Sequence, residues 1–258
     1  YVPMGSQFEL KGSGSLTIDC YAPAGIGIGN DFDHSYGDIA VDMEGRLEII
    51  SNSMDTLCIG GGYNEDDSEI DLRSGQIRIH MHSHNGLAIG SFNGDALIDI
   101  SDKCKLELTV SGIKVTGIGS CKGIATISSS ADIAISCTGA QAVAIGSLED
   151  GEGSIYIKSG KLMMKMRSAK NSAIGAIKGN MNTRVENADI SIDSEGDEIT
   201  GIGDALGTGN VAIIDSAVTM KILAANPKDI GTGSGDLKIV NSTVSSLINN
   251  KIITHSNI

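Results

Sequence analysis

The four residues Ala144-Ile145-Gly146-Ser147 occur, with small variations, eight times along this chain. The central Ile-Gly pair of the other seven copies is Ile26-Gly27, Ile59-Gly60, Ile89-Gly90, Ile118-Gly119, Ile174-Gly175, Ile202-Gly203 and Ile230-Gly231. From Ile59 onwards, successive isoleucines are separated by 30, 29, 27, 29, 28 and 28 residues. A repeat of this regularity indicates one structural unit stacked on copies of itself.

Each repeat contains short segments in which apolar and polar residues alternate. The third repeat shows the plan with Ile70-Asp71-Leu72, Ile77-Arg78-Ile79 and Ala88-Ile89-Gly90. Alternation at period two is typical of a strand with one buried face, and no stretch shows the period of an amphipathic helix. The sequence therefore predicts an all-β fold, a single-stranded parallel β-helix with about eight to nine coils of about 28 residues. We expect it to be right-handed, as parallel crossovers generally are.

The repeat occupies nearly the whole chain, so we expect one elongated domain. It would span residues 7–258 and be excised from a larger protein, with residues 1–6 as a linker or an expression remnant. The isoleucine of each Ile-Gly pair should form an interior ladder eight residues deep. The glycine after it should occupy a tight corner that requires positive φ or a close backbone approach.

Composition limits the classes of function. Hydrophobic residues make up 40% of the chain but aromatic residues only 3%, so Ile, Leu, Val and Ala must build the core. A net charge of -13 argues against nucleic-acid binding, and no apolar run is long enough for membrane insertion. The five cysteines lack metal-type spacing, and their odd number favours a reducing or anaerobic environment.

The strands together with the Ala/Gly-Ile-Gly-Gly/Ser corner, over about residues 14–236, resemble the Gly-Ile-Gly-Gly β-helix repeats. Such repeats are common in large surface proteins of gut Gram-positive bacteria. The resemblance implies a secreted or cell-surface module without catalytic residues or a cofactor. The five cysteines, and a start at Tyr1 without a leader, leave a cytoplasmic location open.

Two aspartates on the first strand of neighbouring coils are the candidate catalytic residues. Asp71 and Asp99 should lie about 5 Å apart, since stacked coils are about 4.8 Å apart. Carboxylates at that distance can share a proton or hold Ca²⁺, and Arg73 is the nearby cation. One interpretation is therefore a polysaccharide lyase or hydrolase, and the preferred one is a solvated ladder. The same alignment places Thr126 beside Asp99 and Asp42 beside Arg73.

Two groups of residues are candidate metal ligands. Three histidines alternate along one extended stretch and could bind a transition metal: His80, His82 and His84. Acidic turns after the corners could hold Ca²⁺: Glu65, Asp66, Asp67 and Asp95, with Glu149 in a later turn. The alternative interpretation, an exposed strand edge and solubilising turns, is favoured for both, so no cofactor is expected beyond this possible Ca²⁺.

Aromatic residues are the usual platforms for sugars. Tyr63 and Phe92 fall in equivalent turns of adjacent coils and form a weak candidate for ligand binding. Elsewhere Glu48, Arg78 and Glu107 should stack with alternating charge, which stabilises a parallel ladder.

Three functions remain open from the sequence. The leading one is a non-catalytic solenoid that acts as a spacer or as an adhesion surface, with a polysaccharide or another protein as partner. The second is a polysaccharide lyase or hydrolase centred on Asp71, Asp99 and Arg73. The third is an intracellular ligand-sensing domain of a regulator. Oligomeric state is not readable from these patterns.

Overall fold

A computed structural model describes residues 1–64, 67–204 and 206–256, with the backbone alone at Asp150. Its first eight strands are β1 Gln7–Gly12, β2 Ser15–Cys20, β3 Ala24–Gly29, β4 Asp38–Gly61, β5 Glu69–Ser91, β6 Ala96–Ile100, β7 Cys104–Ser129 and β8 Asp132–Ile157. The other eight are β9 Gly160–Ala176, β10 Gly179–Glu186, β11 Ala188–Asp204, β12 Val211–Ile214, β13 Ala217–Thr232, β14 Leu237–Val240, β15 Thr243–Ile248 and β16 Lys251–His255.

The strands form stacked parallel coils, which confirms the predicted β-solenoid. Successive coils pair in parallel register from β1 to β15, about eight turns of about 28 residues. Several strands run through bends of the coil, so one strand, such as β4, supplies more than one side of the solenoid. Side chains alternate between buried and exposed along most of each coil.

The Ile-Gly ladder forms the centre of the core, with one correction to the sequence analysis. Ile59, Ile145 and Ile202 are at most 1% exposed and lie in one column with their counterparts. In the first coil, however, Ile28 pairs with Ile59, while the predicted Ile26 pairs with Leu57. The local sequence Gly-Ile-Gly-Ile-Gly offers two equivalent pairs, and only the stacking against the second coil selects between them.

The corner glycines adopt the conformation that the sequence predicts. Gly146 has φ 134°, which L side chains rarely adopt, and a Cβ there would lie 1.9 Å from the carbonyl oxygen of Gly175. Gly60 and Gly119 show the same combination of positive φ and close approach to the next coil. Glycine at this position therefore permits both the sharp corner and the tight stacking of coils.

Both ends of the described chain pack on the solenoid. Val2, in the segment expected to be a linker, is 3% exposed, and its amide donates to the carbonyl of Gly29 at 2.7 Å. At the other end, β16 turns back and pairs antiparallel with β15. His255 on β16 lies 2.6 Å from Asp229, which ties this hairpin to the preceding coil.

The five cysteines are free thiols, and four of them are buried. Cys58 occupies the interior corner position that Ala88 and Ala144 fill in other coils, as the sequence predicts. Burial raises its pKa, and burial raises the pKa of the Cys137 thiol to about 12. These thiols therefore stay protonated at neutral pH and pack as small apolar side chains.

Candidate functional site

The structure places the two predicted aspartates next to each other, but each carboxylate pairs with a different cation. Asp71 and Asp99 are register partners on β5 and β6. Asp71 accepts a hydrogen bond from Arg73 at 2.5 Å, whereas Asp99 pairs with Lys158 at 3.6 Å. Arg73 also reaches Glu9 at 3.0 Å. The two carboxylates are thus held in separate exposed ion pairs.

Two register positions predicted from sequence are wrong, Thr126 beside Asp99 and Asp42 beside Arg73. Asp99 lies opposite Ser128, and Thr126 lies opposite Leu97. Asp42 lies opposite Ser74 because a bulge between Val41 and Asp42 shifts the register. A bulge adds one residue to one strand, which alignment of an alternating pattern does not reveal.

The three predicted histidine ligands are exposed at alternate positions of β5. His82 makes a 2.9 Å contact with the hydroxyl of Ser111, and His80 lies 4.0 Å from Glu48. Across residues 1–64, 67–204 and 206–256, no group of three or more His, Cys, Asp or Glu side chains is placed to hold a metal ion.

The predicted acidic turns have separate local roles where they are described. The carboxylate of Asp95 accepts a hydrogen bond from the amide of Ile124 at 3.1 Å, which joins neighbouring turns. Asp67 adopts φ 54°, a turn conformation. Glu65 and Asp66 lie outside the described residues.

The two predicted aromatic residues occupy different surroundings. Phe92 is half-buried and packs edge-to-face on Phe32, with ring centroids 5.1 Å apart. The two rings cover a cluster outside the main core that contains Leu57, Leu87 and Cys121. Tyr63 is 37% exposed and is joined to Tyr36 through its backbone.

The predicted charge ladder is confirmed. Glu48, Arg78 and Glu107 lie in one column, and Arg78 Nε approaches Glu107 Oε2 at 2.9 Å. Exposed pairs of this kind contribute only about 0.2 to 1 kcal/mol each, so the ladder is a stabilising feature of the surface.

A groove runs along the solenoid axis over several coils. It has two sections, of about 450 and 200 Å³, which share Leu148 and Glu149. We call it the axial groove. Its two walls come from opposite sides of the Ile-Gly corner, the strand before the corner and the turn after it.

The strand wall is a column of polar side chains. One residue per coil, four positions before the corner isoleucine, projects outward at register-paired positions: Asn85, Lys114, Gln141, Lys170, Glu198 and Asn226. Stacking places these side chains about 4.8 Å apart along the axis. Lys170 pairs with Glu198 at 2.9 Å.

The turn wall carries one apolar residue in each coil. In four coils the second residue after the corner glycine lines the groove: Phe92, Cys121, Leu148 and Ile177. In the next coil Leu206 takes this role and is 79% exposed. The turns stack through backbone bonds, including the amide of Lys122 to the carbonyl of Phe92 at 3.1 Å.

An ion pair crosses the groove where its two sections meet. Lys114 on the strand wall lies 2.5 Å from Glu149 on the turn wall, and Lys122 lies 3.5 Å from the same carboxylate. The hydrogen bond from Lys114 holds the pKa of Glu149 below its usual range. The larger section, floored by Ile199 and Thr200, is therefore a bounded site.

A buried aspartate anchors the turns at the end of the larger section. Asp204 is 0% exposed, and its carboxylate accepts backbone hydrogen bonds from Ala176 at 3.0 Å, Met181 at 2.6 Å and Gly209. Burial raises its pKa to about 6 in spite of these donors. The side chain therefore links turns of adjacent coils, at a position where other coils carry a serine such as Ser147.

The axial groove was not found from the sequence. The signal that could have indicated it is the apolar residue at a fixed offset after the corner glycine, as in Leu148 and Ile177. The alternation of apolar and polar residues shows which strand positions face outward. It does not show that a turn folds back beside those positions and forms a groove with them.

The fold and the axial groove together define the class of this protein, which is a β-solenoid with a concave site along its axis. Comparison with known protein families, with curated proteins and with solved structures found no significant match to this chain. Among the described residues, no helix has the length and apolar character needed to cross a bilayer.

Proposed function

We propose that this protein is a non-catalytic module that binds an extended polysaccharide in the axial groove. The observation that carries the proposal is a polar strand wall that faces a turn wall with an apolar residue in each of several coils. A sugar ring has apolar C–H faces and hydroxyl groups at its edges. Ile177 and Leu206 suit the faces, while Gln141 and Asn226 can exchange hydrogen bonds with hydroxyl groups.

Several contacts favour binding over cleavage. The carboxylates that would act as acid and base, Asp71 and Asp99, lie outside the groove and are held by Arg73 and Lys158. Glu149, inside the groove, is held as a carboxylate by Lys114 and Lys122. A general acid must instead keep a proton near neutral pH.

The solenoid also suits a spacer. About eight coils at about 4.8 Å each give a rod of about 35 to 40 Å. We propose, on the resemblance of the repeats, that the module belongs to a bacterial surface protein and acts in adhesion. A rod that carries its site along its length presents an extended glycan with several equivalent contacts.

A glycan array with matched variants tests this proposal. Leu206→Ser removes an apolar side chain from the turn wall, and Leu223→Ser removes one that is 50% exposed outside the groove. We expect the parent and Leu223→Ser to bind the same polysaccharides, and Leu206→Ser to bind them at least about fivefold more weakly, from loss of about 1 kcal/mol of apolar contact. Equal binding by all three, or no polysaccharide binding by the parent, would reject the groove as a glycan site.

A further inference from the structure

The axial groove has the opposite charge balance to the protein that contains it. The chain carries a net charge of -13. The described side chains that line the groove include five lysines and only two glutamates. The lysines are Lys114, Lys122, Lys170, Lys178 and Lys228. Low-dielectric walls concentrate the field of such a cluster, so an anionic ligand is favoured there over the surrounding acidic surface.

Both glutamates of the groove are already neutralised by lysines. Glu149 lies 2.5 Å from Lys114, and Glu198 lies 2.9 Å from Lys170. Within the described part of the chain, Lys178 has no carboxylate partner. An entering anion would therefore meet positive charge in the larger section without displacing a carboxylate.

We propose that the axial groove binds an acidic glycan, a chain of uronate-type sugars that lies along the solenoid axis with about one sugar per coil. This inference rests on the proposed function and names the chemical class of its ligand. The sugar faces would pack on the apolar residues of the turn wall, and the carboxylates would pair with lysines such as Lys178.

The spacing of the groove favours a glycan over an acidic peptide. Equivalent groups recur about every 4.8 Å along the axis, close to the length of one pyranose unit in an extended chain. Side chains on one face of an extended peptide recur after two residues, about 6.6 Å, and would lose register within a few coils. From Gln141 to Asn226 the strand wall of the larger section crosses three coil steps, about 14 Å, which accommodates about three sugars.

Backbone hydrogen bonding points the same way. A peptide usually gains affinity in a groove by adding a strand to a free sheet edge. Here the strands run across the groove, and their amides and carbonyls pair from coil to coil along the axis. The backbone N–H and C=O groups of a peptide lying along the axis would have only side chains as hydrogen-bond partners. A glycan has no peptide backbone and so does not need such partners.

The test measures binding of three polymers by isothermal titration calorimetry. Polygalacturonate is the acidic glycan, its fully methyl-esterified form has the same backbone without charge, and poly-glutamate is the acidic peptide. Each is titrated into the whole chain at about 50 and about 500 mM salt, since exposed charges are screened as the Debye length shortens.

Two variants of equal charge locate the site. Lys178→Gln with Lys228→Gln changes the groove, and Lys161→Gln with Lys221→Gln changes exposed lysines outside it. Either pair lowers the net charge by two, from -13 to -15. We expect the groove pair to bind polygalacturonate about tenfold more weakly than the control pair, because two positive charges are removed from the lining of the groove. Circular dichroism checks that both variants are folded.

The outcomes separate this inference from the proposed function. Polygalacturonate binding that weakens with salt and is reduced in the groove pair alone supports the inference. If the methyl-esterified polymer binds with the same affinity as polygalacturonate, the groove still binds glycans but the proposal of an acidic ligand is overturned. Tighter binding of poly-glutamate overturns the glycan in favour of a peptide. Equal weakening in both pairs places the interaction outside the groove, and no binding of either glycan overturns both proposals.

Discussion

Replacing the buried Asp204 by asparagine should remove a pH-dependent loss of stability. The pKa of this carboxyl is raised from 3.8 to about 6, chiefly by burial. At about 1.36 kcal/mol per pKa unit, this difference corresponds to about 3 kcal/mol. For an acid with a raised pKa in the folded state, the protonated form is the one that folding favours. Ionisation therefore carries no penalty below pH 3.8 and the full penalty above about pH 6.

The Asp204→Asn variant stays neutral at this position at every pH. The difference in unfolding free energy between the variant and the parent is therefore a constant plus this pH-dependent penalty. The introduced amide side chain would keep an acceptor oxygen for one of the backbone donors and lose another, which sets the constant. Between about pH 4 and about pH 7.5 the parent should lose about 3 kcal/mol of unfolding free energy relative to Asp204→Asn.

Urea unfolding followed by circular dichroism at several pH values gives this difference directly. Glu149→Gln is the control of opposite sign, because the Lys114 hydrogen bond lowers the pKa of Glu149. Relative to that variant, the parent should lose its advantage as the pH falls. A parent-to-Asp204→Asn difference that is constant with pH, or that moves in favour of the parent as the pH rises, would refute the reasoning.

Three further experiments with variants test the fold and the non-catalytic interpretation. Ile145→Asp buries a charge in the interior ladder and should abolish folding, whereas Ile113→Asp, at a 52% exposed position, should melt near the parent temperature. Gly146→Ala places a Cβ against a carbonyl at positive φ and should cost more than about 2 kcal/mol in urea unfolding; a neutral result would contradict the corner geometry. Asp71→Asn with Asp99→Asn should change unfolding free energy by less than about 1 kcal/mol and leave glycan binding intact. Polysaccharide cleavage by the parent that disappears in this double variant would instead favour the lyase interpretation.

Most of the fold was predictable because the solenoid repeats its constraints. The spacing of Ile59, Ile89 and later isoleucines defines the coil, and alternation defines the faces of its strands. The errors fall where the repeat is locally ambiguous. Ile26 and Ile28 lie in one Gly-Ile-Gly-Ile-Gly stretch, and the bulge after Val41 shifts one strand by one residue.

The candidate site was much less predictable. Asp71 and Asp99 were correctly placed on neighbouring coils, but their separation into two ion pairs depends on Lys158, which lies two coils further along. Long side chains reach across coils in ways that a column alignment does not show. The axial groove depends on where turns fold, and the surroundings of Asp204 depend on backbone donors from the turns of two adjacent coils.

The most direct test of the central claim is to observe which methyl groups of the protein respond to a bound glycan. A methyl-labelled sample would be titrated with a short galacturonate oligomer and followed by NMR. A ligand in the axial groove should shift the methyl resonances of Leu148, Ile177 and Leu206, and leave those of Leu223 and Ile252 unchanged. Shifts confined to residues outside the groove, or no shifts at saturating oligomer, would contradict the account.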